Sequence, residues 1–439
     1  MDEMIVAKYV DRKLPRYTSY PTAAAFTGAA RARFLESQLT ALPENTPMSI
    51  YVHVPFCRSQ CLYCGCNTVC GAPIARIESY AVALMAEIDK IADKLDGRGH
   101  VAAIHFGGGT PLSLDPAVFA ALMDRLRSRF ALASTCETAI EIDPRTASDA
   151  HIDVLAQAGV SRASLGVQTL EPVVQRHIAR VHSFEMIETI VQKLRAAGVA
   201  NLSFDLMTGL PGQTCSGVGE TAALLATLAP DRLAVFGYAH VPFMKPHQAV
   251  LEALGLPDGP SRWAQYRAAF DTLVESCYIP IGIDHFTKPK DSLARALAEG
   301  RLKRNFQGYT DDPGEILIGI GASAISTFAG GYVQNAADID TYMKRIASNE
   351  WASERGLVLS EDDRRRRAVI ASLMCTLAAE TQGFDTERKK LAPLIADGLA
   401  EVNGTRVIVP EEARPFARLV AATFDTAYDP ASARGAPAI

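Results

Sequence analysis

Four thiols, Cys57, Cys61, Cys64 and Cys66, stand within ten residues of one another in the stretch YVHVPFCRSQCLYCGCNTV, from Tyr51 to Val69. Disulfides pair distant elements of a chain, whereas cysteines packed this closely converge on one inorganic centre. Structural zinc is one candidate centre. Its sites recruit a second Cys/His pair some distance away, and the sequence has no second C-x-x-C clip. An iron–sulfur cubane is the other, and it normally takes four thiolates. The spacing C-x3-C-x2-C puts Cys57, Cys61 and Cys64 on one tight loop, where they can ligate three irons and leave the fourth open to a small molecule. Cys70, Cys136, Cys215, Cys277 and Cys375 lie scattered among apolar neighbours and read as core residues.

Further polar residues recur at intervals of one structural unit. Gly107-Gly108-Gly109-Thr110-Pro111 offers bare backbone N–H and C=O groups that a ligand can approach where a side chain would block it. Glu141 alternates with Ile140 and Ile142, so it faces away from them, and a carboxylate turned inward needs a cation or hydroxyl partner. Gln168, Arg180 and Asp205 follow, then Tyr238-Ala239-His240 and Asp284-His285, and finally Arg304, whose guanidinium suits a carboxylate.

The elements that must carry these residues are strands alternating with helices. Strand-like runs at Ser49–Phe56, Val101–Phe106, Thr138–Asp143, Arg162–Gln168, Asn201–Met207 and Arg232–His240 each precede a run of helical period: 77–95, 116–130, 147–158, 184–197, 218–228 and 262–275. Regular alternation of this kind predicts parallel strands with right-handed crossovers. Six βα units are too few for a closed eight-stranded barrel, so the expected fold is α/β, an open partial (β/α)6 barrel, with Ile279–Phe286 extending it as a seventh strand. His53, Gly107 to Thr110, Glu141, Gln168, Asp205 and Tyr238 with His240 fall at the C-terminal ends of the six strands, where such folds place their chemistry.

The expected organisation is an N-terminal arm over residues 1–48, the barrel over 49–310, a covering connection over 311–358, and a mostly helical, winged-helix-like domain over 359–430. Within the last, helices at 362–378 and 386–400 precede a hairpin whose Asn403-Gly404 suits a type I′ turn. The segment Arg16-Tyr17-Thr18-Ser19-Tyr20-Pro21-Thr22 is extended and reads as a lid. An Ala/Pro/Gly tail follows Pro430.

Composition excludes some classes. With 44 basic and 49 acidic side chains the net charge is −5, which argues against a general nucleic-acid binder, and Arg364–Arg367 reads as a solvated helix face behind Glu361, Asp362 and Asp363. The uncharged run Ile316–Ala337 is rich in Gly, Ser, Thr, Gln and Asn, so it reads as buried strand and loop and not as a membrane span. The N-terminus MDEMIVAKYV lacks a signal-peptide pattern, and reduced thiols suit the cytoplasm.

The strand, the C-x3-C-x2-C loop and the later glycine triplet together resemble the radical S-adenosylmethionine enzymes. Tyr51-x-His53-x-Pro55-Phe56 in front and Cys64-Gly65-Cys66-Asn67 behind narrow the resemblance to the oxygen-independent coproporphyrinogen III oxidases. The resemblance implies that Cys57, Cys61 and Cys64 ligate a [4Fe-4S] cluster while Cys66 does not. It implies a first S-adenosylmethionine at Tyr51, Gly108, Glu141 and Ile325, and a second at Tyr63, Gly109, Thr110, Gln168, Arg180, Asp205 and Ala239. Around Arg180 the chain departs from the family, which usually has Asn at position 179 and Gln at 182, where this chain has Ala179 and His182.

Four substrate propionates call for a cationic pocket, for which Arg16 and Arg304 are the candidates, and the arm is expected to cover the site. The implied activity is oxidative decarboxylation of coproporphyrinogen III to protoporphyrinogen IX. A flavodoxin- or ferredoxin-like electron donor, no nucleic-acid or membrane partner, and a monomer are expected with it. The competing readings are a radical enzyme acting on another tetrapyrrole, and a haem carrier. The related carriers usually have C-x-Phe where this chain has Cys64-Gly65-Cys66, which tells against the second.

Overall fold

The computed structural model describes residues 1–28, 32–431 and 436–439; part of the arm (29–31) and part of the Ala/Pro/Gly tail (432–435) lie outside the described residues. Its centre is a twelve-stranded mixed sheet. In chain order its strands are β1 (Pro47–Val54), β2 (His100–Gly108), β3 (Leu132–Ile142), β4 (Arg162–Gln168), β5 (Asn201–Thr208) and β6 (Arg232–Gly237). Then come β7 (Ile279–Ile281), β8 (His285–Thr287), β9 (Ile316–Ile320), β10 (Ile325–Phe328), β11 (Gly331–Asn335) and β12 (Ser353–Val358). The spatial order is β12-β11-β10-β9-β1-β2-β3-β4-β5-β6-β8-β7.

From β9 through β1 to β6 all neighbours are parallel. Each of the first six strands is followed by one main crossover helix: α1 (Ile74–Leu95), α2 (Pro116–Arg129), α3 (Asp149–Gln157), α4 (Phe184–Ala196), α5 (Cys215–Thr227) and α6 (Gly259–Glu275). Side-chain caps fix where the last five begin: Asp115, Ser148, Ser183, Thr214 and Asp258 each accept a hydrogen bond from a backbone N–H of the first turn. Strand residues such as Ile50, Val52, Ile104, Phe106, Leu165 and Phe204 are buried together with the inner faces of these helices in one core. The six expected βα units are therefore present, and the partial barrel is open at both edges.

The seventh parallel strand is not the expected one. Ile279–Phe286 instead divides into β7 and β8, which pair antiparallel with each other, and only β8 pairs with β6, also antiparallel. The cause is local: Gly282 turns the chain at φ +56°, with the Tyr309 ring standing where a Cβ would be. Parallel pairing continues at the opposite edge, where β9 lies beside β1 and leads into the antiparallel strands β10, β11 and β12. The apolar run Ile316–Ala337 is thus three buried strands, and among the described residues no helix is long and apolar enough to cross a membrane.

The C-terminal region holds α7 (Glu361–Thr376) and a three-stranded antiparallel sheet of Ala378–Glu380, Arg406–Ile408 and Glu401–Asn403. The second helix expected there is two short ones, Asp385–Lys390 and Ala392–Ala396, because Pro393 lacks the N–H to continue the first and Gly398 turns out at φ +70°. The hairpin is also not type I′. Asn403 is still paired, to Arg406, and only Gly404 has positive φ, the pattern of a turn with glycine at its first central position. The N-terminal helix Glu3–Tyr9 and the extended segment after it do not lie in solvent. Val6, Tyr9, Val10, Leu14, Tyr17 and Tyr20 are buried in the same core as Leu373, Phe416, Val420 and Phe424.

Candidate cofactor and substrate site

The cysteine loop leaves β1 at the C-terminal mouth of the parallel strands. Its base is closed by a short parallel pair, Phe56 with Val69 and Cys57 with Cys70. The loop backbone is pinned from the segment that follows β6. Lys245 Nζ donates to the Cys66 carbonyl at 2.6 Å, His247 Nε2 to that of Cys64 at 2.8 Å, and Gln248 Nε2 to that of Tyr63 at 2.9 Å. Cys57, Cys61 and Cys64 face a cavity of about 500 Å³. Arg145 Nη2 lies 3.2 Å and Arg180 Nη1 3.4 Å from Cys61 Sγ, and Asp143 Oδ2 bridges both guanidiniums at 2.6 and 3.2 Å. Burial pushes the Cys57 thiol up to about 12, while hydrogen bonding from Cys66 brings Cys64 down to about 6.

The glycine triplet runs along the next strand end. Gly109 N donates to Val54 O and Thr110 N to Phe56 O, both at 2.9 Å, which stitches the triplet to the start of the cysteine loop. A Cβ on Gly109 would stand 2.6 Å from Phe56 O and 2.9 Å from Cys57 Sγ, so only glycine fits against the thiol. Gly108 N donates to Glu141 Oε2 at 3.1 Å, and the other carboxylate oxygen meets His105 Nε2 at 3.1 Å. Burial alone would raise the Glu141 carboxyl, but these two partners hold it below its ordinary value. Strand register explains the grouping: Tyr51 pairs with His105 across β1 and β2, and their rings stack at 5.8 Å. Tyr51 O–H lies 3.0 Å from His53 Nδ1, and His53 Nε2 lies 3.0 Å from the Asn67 carbonyl. Since a carbonyl only accepts, Nε2 carries the proton and Nδ1 accepts from the tyrosine.

The far wall comes from β4, β5 and the end of β6. At Gln168 the ladder between β4 and β5 slips, φ is +71°, and the side-chain Oε1 is buried without a partner. Arg180 Nε donates to Gly166 O at 3.1 Å. Asp205, which accepts from Ser164 Oγ at 3.4 Å, is driven up to about 7 by burial and by the nearby Glu141 charge. Tyr63 and Ala239 complete this wall. His182, where the chain departs from the family pattern, is buried: it donates from Nε2 to Val167 O at 2.9 Å and lies 3.3 Å from Gln175 Nε2. It thereby braces the backbone immediately before the Gln168 bulge.

Arg16 lies on the rim of the same cavity and donates to Gly237 O at 3.0 Å. Arg304 does not line it. This arginine is buried behind Arg16, over the Tyr309 ring at 4.4 Å and 3.8 Å from Asp284.

Of the residues singled out from sequence, Cys57, Cys61, Cys64, Tyr63, Gly108, Gly109, Glu141, Gln168, Arg180, Asp205, Ala239 and Arg16 line one cavity. Tyr51 stands behind Glu141 through His105, Thr110 is buried with Oγ1 3.4 Å from Asp143 N, and Ile325 begins β10 beside Gly319. Cys70 is a correction: it is half-buried and lines the cavity, and Cys215 and Cys277 are exposed, so of the five only Cys375 is a buried core residue. The sequence reading missed His105 and Arg145. His105 carried the same alternating signal as Glu141, between Ile104 and Phe106, whereas nothing local marked Arg145.

A cubane fits these residues. Among the described residues no three His, Cys, Asp or Glu side chains converge on one metal ion, but three thiolates that each bind a different iron need not converge. The bare Gly109 backbone against Cys57, the guanidiniums at Cys61 and the unpaired Gln168 oxygen all face the space that such a group and a polar ligand would fill.

Known proteins place this arrangement. Residues 51–225 match the radical SAM superfamily. The chain is 43% identical over 437 residues to the oxygen-independent coproporphyrinogen III oxidase of Bradyrhizobium diazoefficiens, with 97% of each chain covered. It is 36% identical over 437 residues to that of Escherichia coli strain K12, covering 97% of this chain and 95% of the relative. The solved structure of coproporphyrinogen III oxidase (HemN) from Escherichia coli, described as a radical SAM enzyme, superposes with a TM-score of 0.89 at 36% identity, covering 94% of this chain and 98% of that one. With bare glycine against a cluster-loop thiol and full-length relatives of one kind, the chain belongs to the oxygen-independent coproporphyrinogen III oxidases of the radical SAM superfamily.

Proposed function

We propose that this protein converts coproporphyrinogen III to protoporphyrinogen IX without oxygen, removing two propionate carboxyls as CO2 and leaving vinyl groups. The observation that carries the reading is the three-cysteine loop opening on a 500 Å³ cavity bounded by the glycine triplet, in a chain matched end to end by oxidases of that name. Bound together, a [4Fe-4S] cluster and S-adenosylmethionine supply a carbon-centred radical able to take hydrogen from a propionate β-carbon.

The chain's own residues bind, orient and exclude. Cys57, Cys61 and Cys64 hold the cluster, and Arg145 and Arg180 offset thiolate charge at Cys61. The Gly108–Gly109 backbone and Glu141 form the cradle for the first S-adenosylmethionine, with Tyr51 and His105 fixing the carboxylate and Ile325 beyond them. Tyr63, Gly109, Thr110, Gln168, Arg180, Asp205 and Ala239 are the candidates for a second molecule, which the unpaired Gln168 oxygen supports. Arg16 and Arg304 are the cations for substrate carboxylates. The arm closes over the cavity mouth, where Arg16 already sits, and keeps water from the radical. The division into arm 1–48, barrel 49–310, connection 311–358 and helical domain 359–430 goes with this reading, the connection contributing β9–β12 to the edge of the same sheet. So do a flavodoxin- or ferredoxin-like donor, a monomeric state and a cytoplasmic setting.

Anaerobic turnover of the reconstituted protein with S-adenosylmethionine, a low-potential reductant and coproporphyrinogen III tests the proposal. Vinyl products, methionine and CO2 are expected. Cleavage of S-adenosylmethionine with coproporphyrinogen III left unchanged would overturn it.

A further inference from the structure

Beside the main cavity lies a smaller one of about 50 Å³, and the two share Arg16, Phe236 and Tyr238. On this measure one water needs about 10–15 Å³. The side pocket therefore holds a few water-sized groups, enough for one carboxylate, while the main cavity is about ten times larger.

Its lining is unusually cationic. Arg304 and Arg418 reach it from the barrel side and from the C-terminal region, with Arg16 at the entrance and Asp284 as the one carboxylate side chain. The Arg304 side chain is 5% exposed, and its Nε and Nη1 have no hydrogen-bond partner. Asp284 is 3.8 Å from it, too far for a hydrogen bond, and is itself engaged by His285 Nδ1 at 2.6 Å. Arg418 gives Nη2 to the carbonyls of Pro437 and Ala438, both at 2.6 Å, and keeps a buried Nε with no partner. Burial and the neighbouring arginines lower the Arg418 guanidinium only to about 10, so it stays charged at neutral pH. Buried cations with unmet donors are costly until an anion reaches them, and a guanidinium's fork matches a carboxylate.

Resting on the substrate reading above, we infer that this pocket binds one carboxylate of the substrate that does not react. Arg304 and Arg418 grip it, and the ring is thereby fixed in the larger cavity with another propionate directed at the cofactors. Arg418, on the short helix Ala417–Ala422, thus makes the C-terminal region part of the substrate site.

Fluorescence titration of the full-length protein with coproporphyrin III and with its tetramethyl ester reads this directly. The free acid is expected to bind and the ester to bind at least tenfold more weakly. Arg304→Gln and Arg418→Gln should each weaken free-acid binding about tenfold, and the double variant little further, since both serve one carboxylate. Binding by the two variants within twofold of the unaltered protein would overturn the pocket. Failure of the unaltered protein to bind any of these tetrapyrroles would instead overturn the substrate reading. A second measurement needs no variant: sodium propionate should raise the melting temperature above that in sodium chloride of equal ionic strength. Equal melting temperatures in the two salts would count against the pocket.

Discussion

Cys57, Cys61, Cys64 and Cys66 share one loop but not one task. All four line the cavity, and Cys66, the exposed one, lowers the Cys64 thiol through a hydrogen bond, while the proposed cluster ligands are Cys57, Cys61 and Cys64. Serine at position 57, 61 or 64 should abolish iron and sulfide uptake on reconstitution, and Cys66→Ser should retain both; iron and sulfide analysis decides it. Asp205 supplies a pH test. Its carboxyl is raised from 3.8 to about 7, so in the folded protein it holds a proton that the unfolded chain has already lost. Its contribution to stability is intact below about pH 4 and disappears as pH rises through about 7. Asp205→Asn should flatten that decline in melting temperature, a difference of about 2 kcal/mol once its cavity-facing edge is allowed for. Parallel slopes for both proteins would exclude it. At this scale the sequence was informative wherever a polar residue interrupted a strand's apolar alternation, as at Glu141. It was silent where partnership depends on tertiary approach, as with Arg145 on Cys61, or with Glu87, a buried helix carboxylate that accepts from Gly321 N and Asn335 Nδ2, both at 2.7 Å.

Elements bring these residues together by register and by close backbone approach. The β2 strand end lies so near the cysteine loop that Gly109→Ala would drive a methyl into Phe56 O and Cys57 Sγ. The barrel core is untouched by that change, so the variant should fold with unaltered circular dichroism yet fail to assemble a cluster; normal iron content would show that the contact yields easily. The six βα units were legible because each strand is an apolar run bounded by polar ends, followed by a helix of period 3.6. The strand β9 was not placed, because an apolar run such as ILIGI reads alike at any position in a parallel sheet, and its neighbour β1 lies far back in the chain. Conversely, Ile279–Phe286 looked like a strand until the Gly282 turn and the Tyr309 ring divided it.

At the scale of the whole molecule, the two ends of the chain form one core. Six buried side chains of the arm, Val6, Tyr9, Val10, Leu14, Tyr17 and Tyr20, pack against α7 and the last helix, and Tyr17 O–H donates to Asp425 at 3.0 Å. At roughly 2 kcal/mol each their burial is worth on the order of 10 kcal/mol, comparable with the stability of a domain. Deleting residues 1–20 should therefore not simply open the site. It should expose residues 359–430 to limited proteolysis, whereas unchanged protection would reduce the arm to a peripheral flap. The sequence showed this arm only as extended and rich in tyrosine, since its partners lie some 400 residues away in the chain. The account as a whole rests on a cluster held by three thiolates with one iron left open, and Mössbauer spectroscopy on protein reconstituted with enriched iron tests that most directly. Adding S-adenosylmethionine is expected to shift the signal of one iron in four and leave three unchanged; four irons indifferent to it would contradict the account.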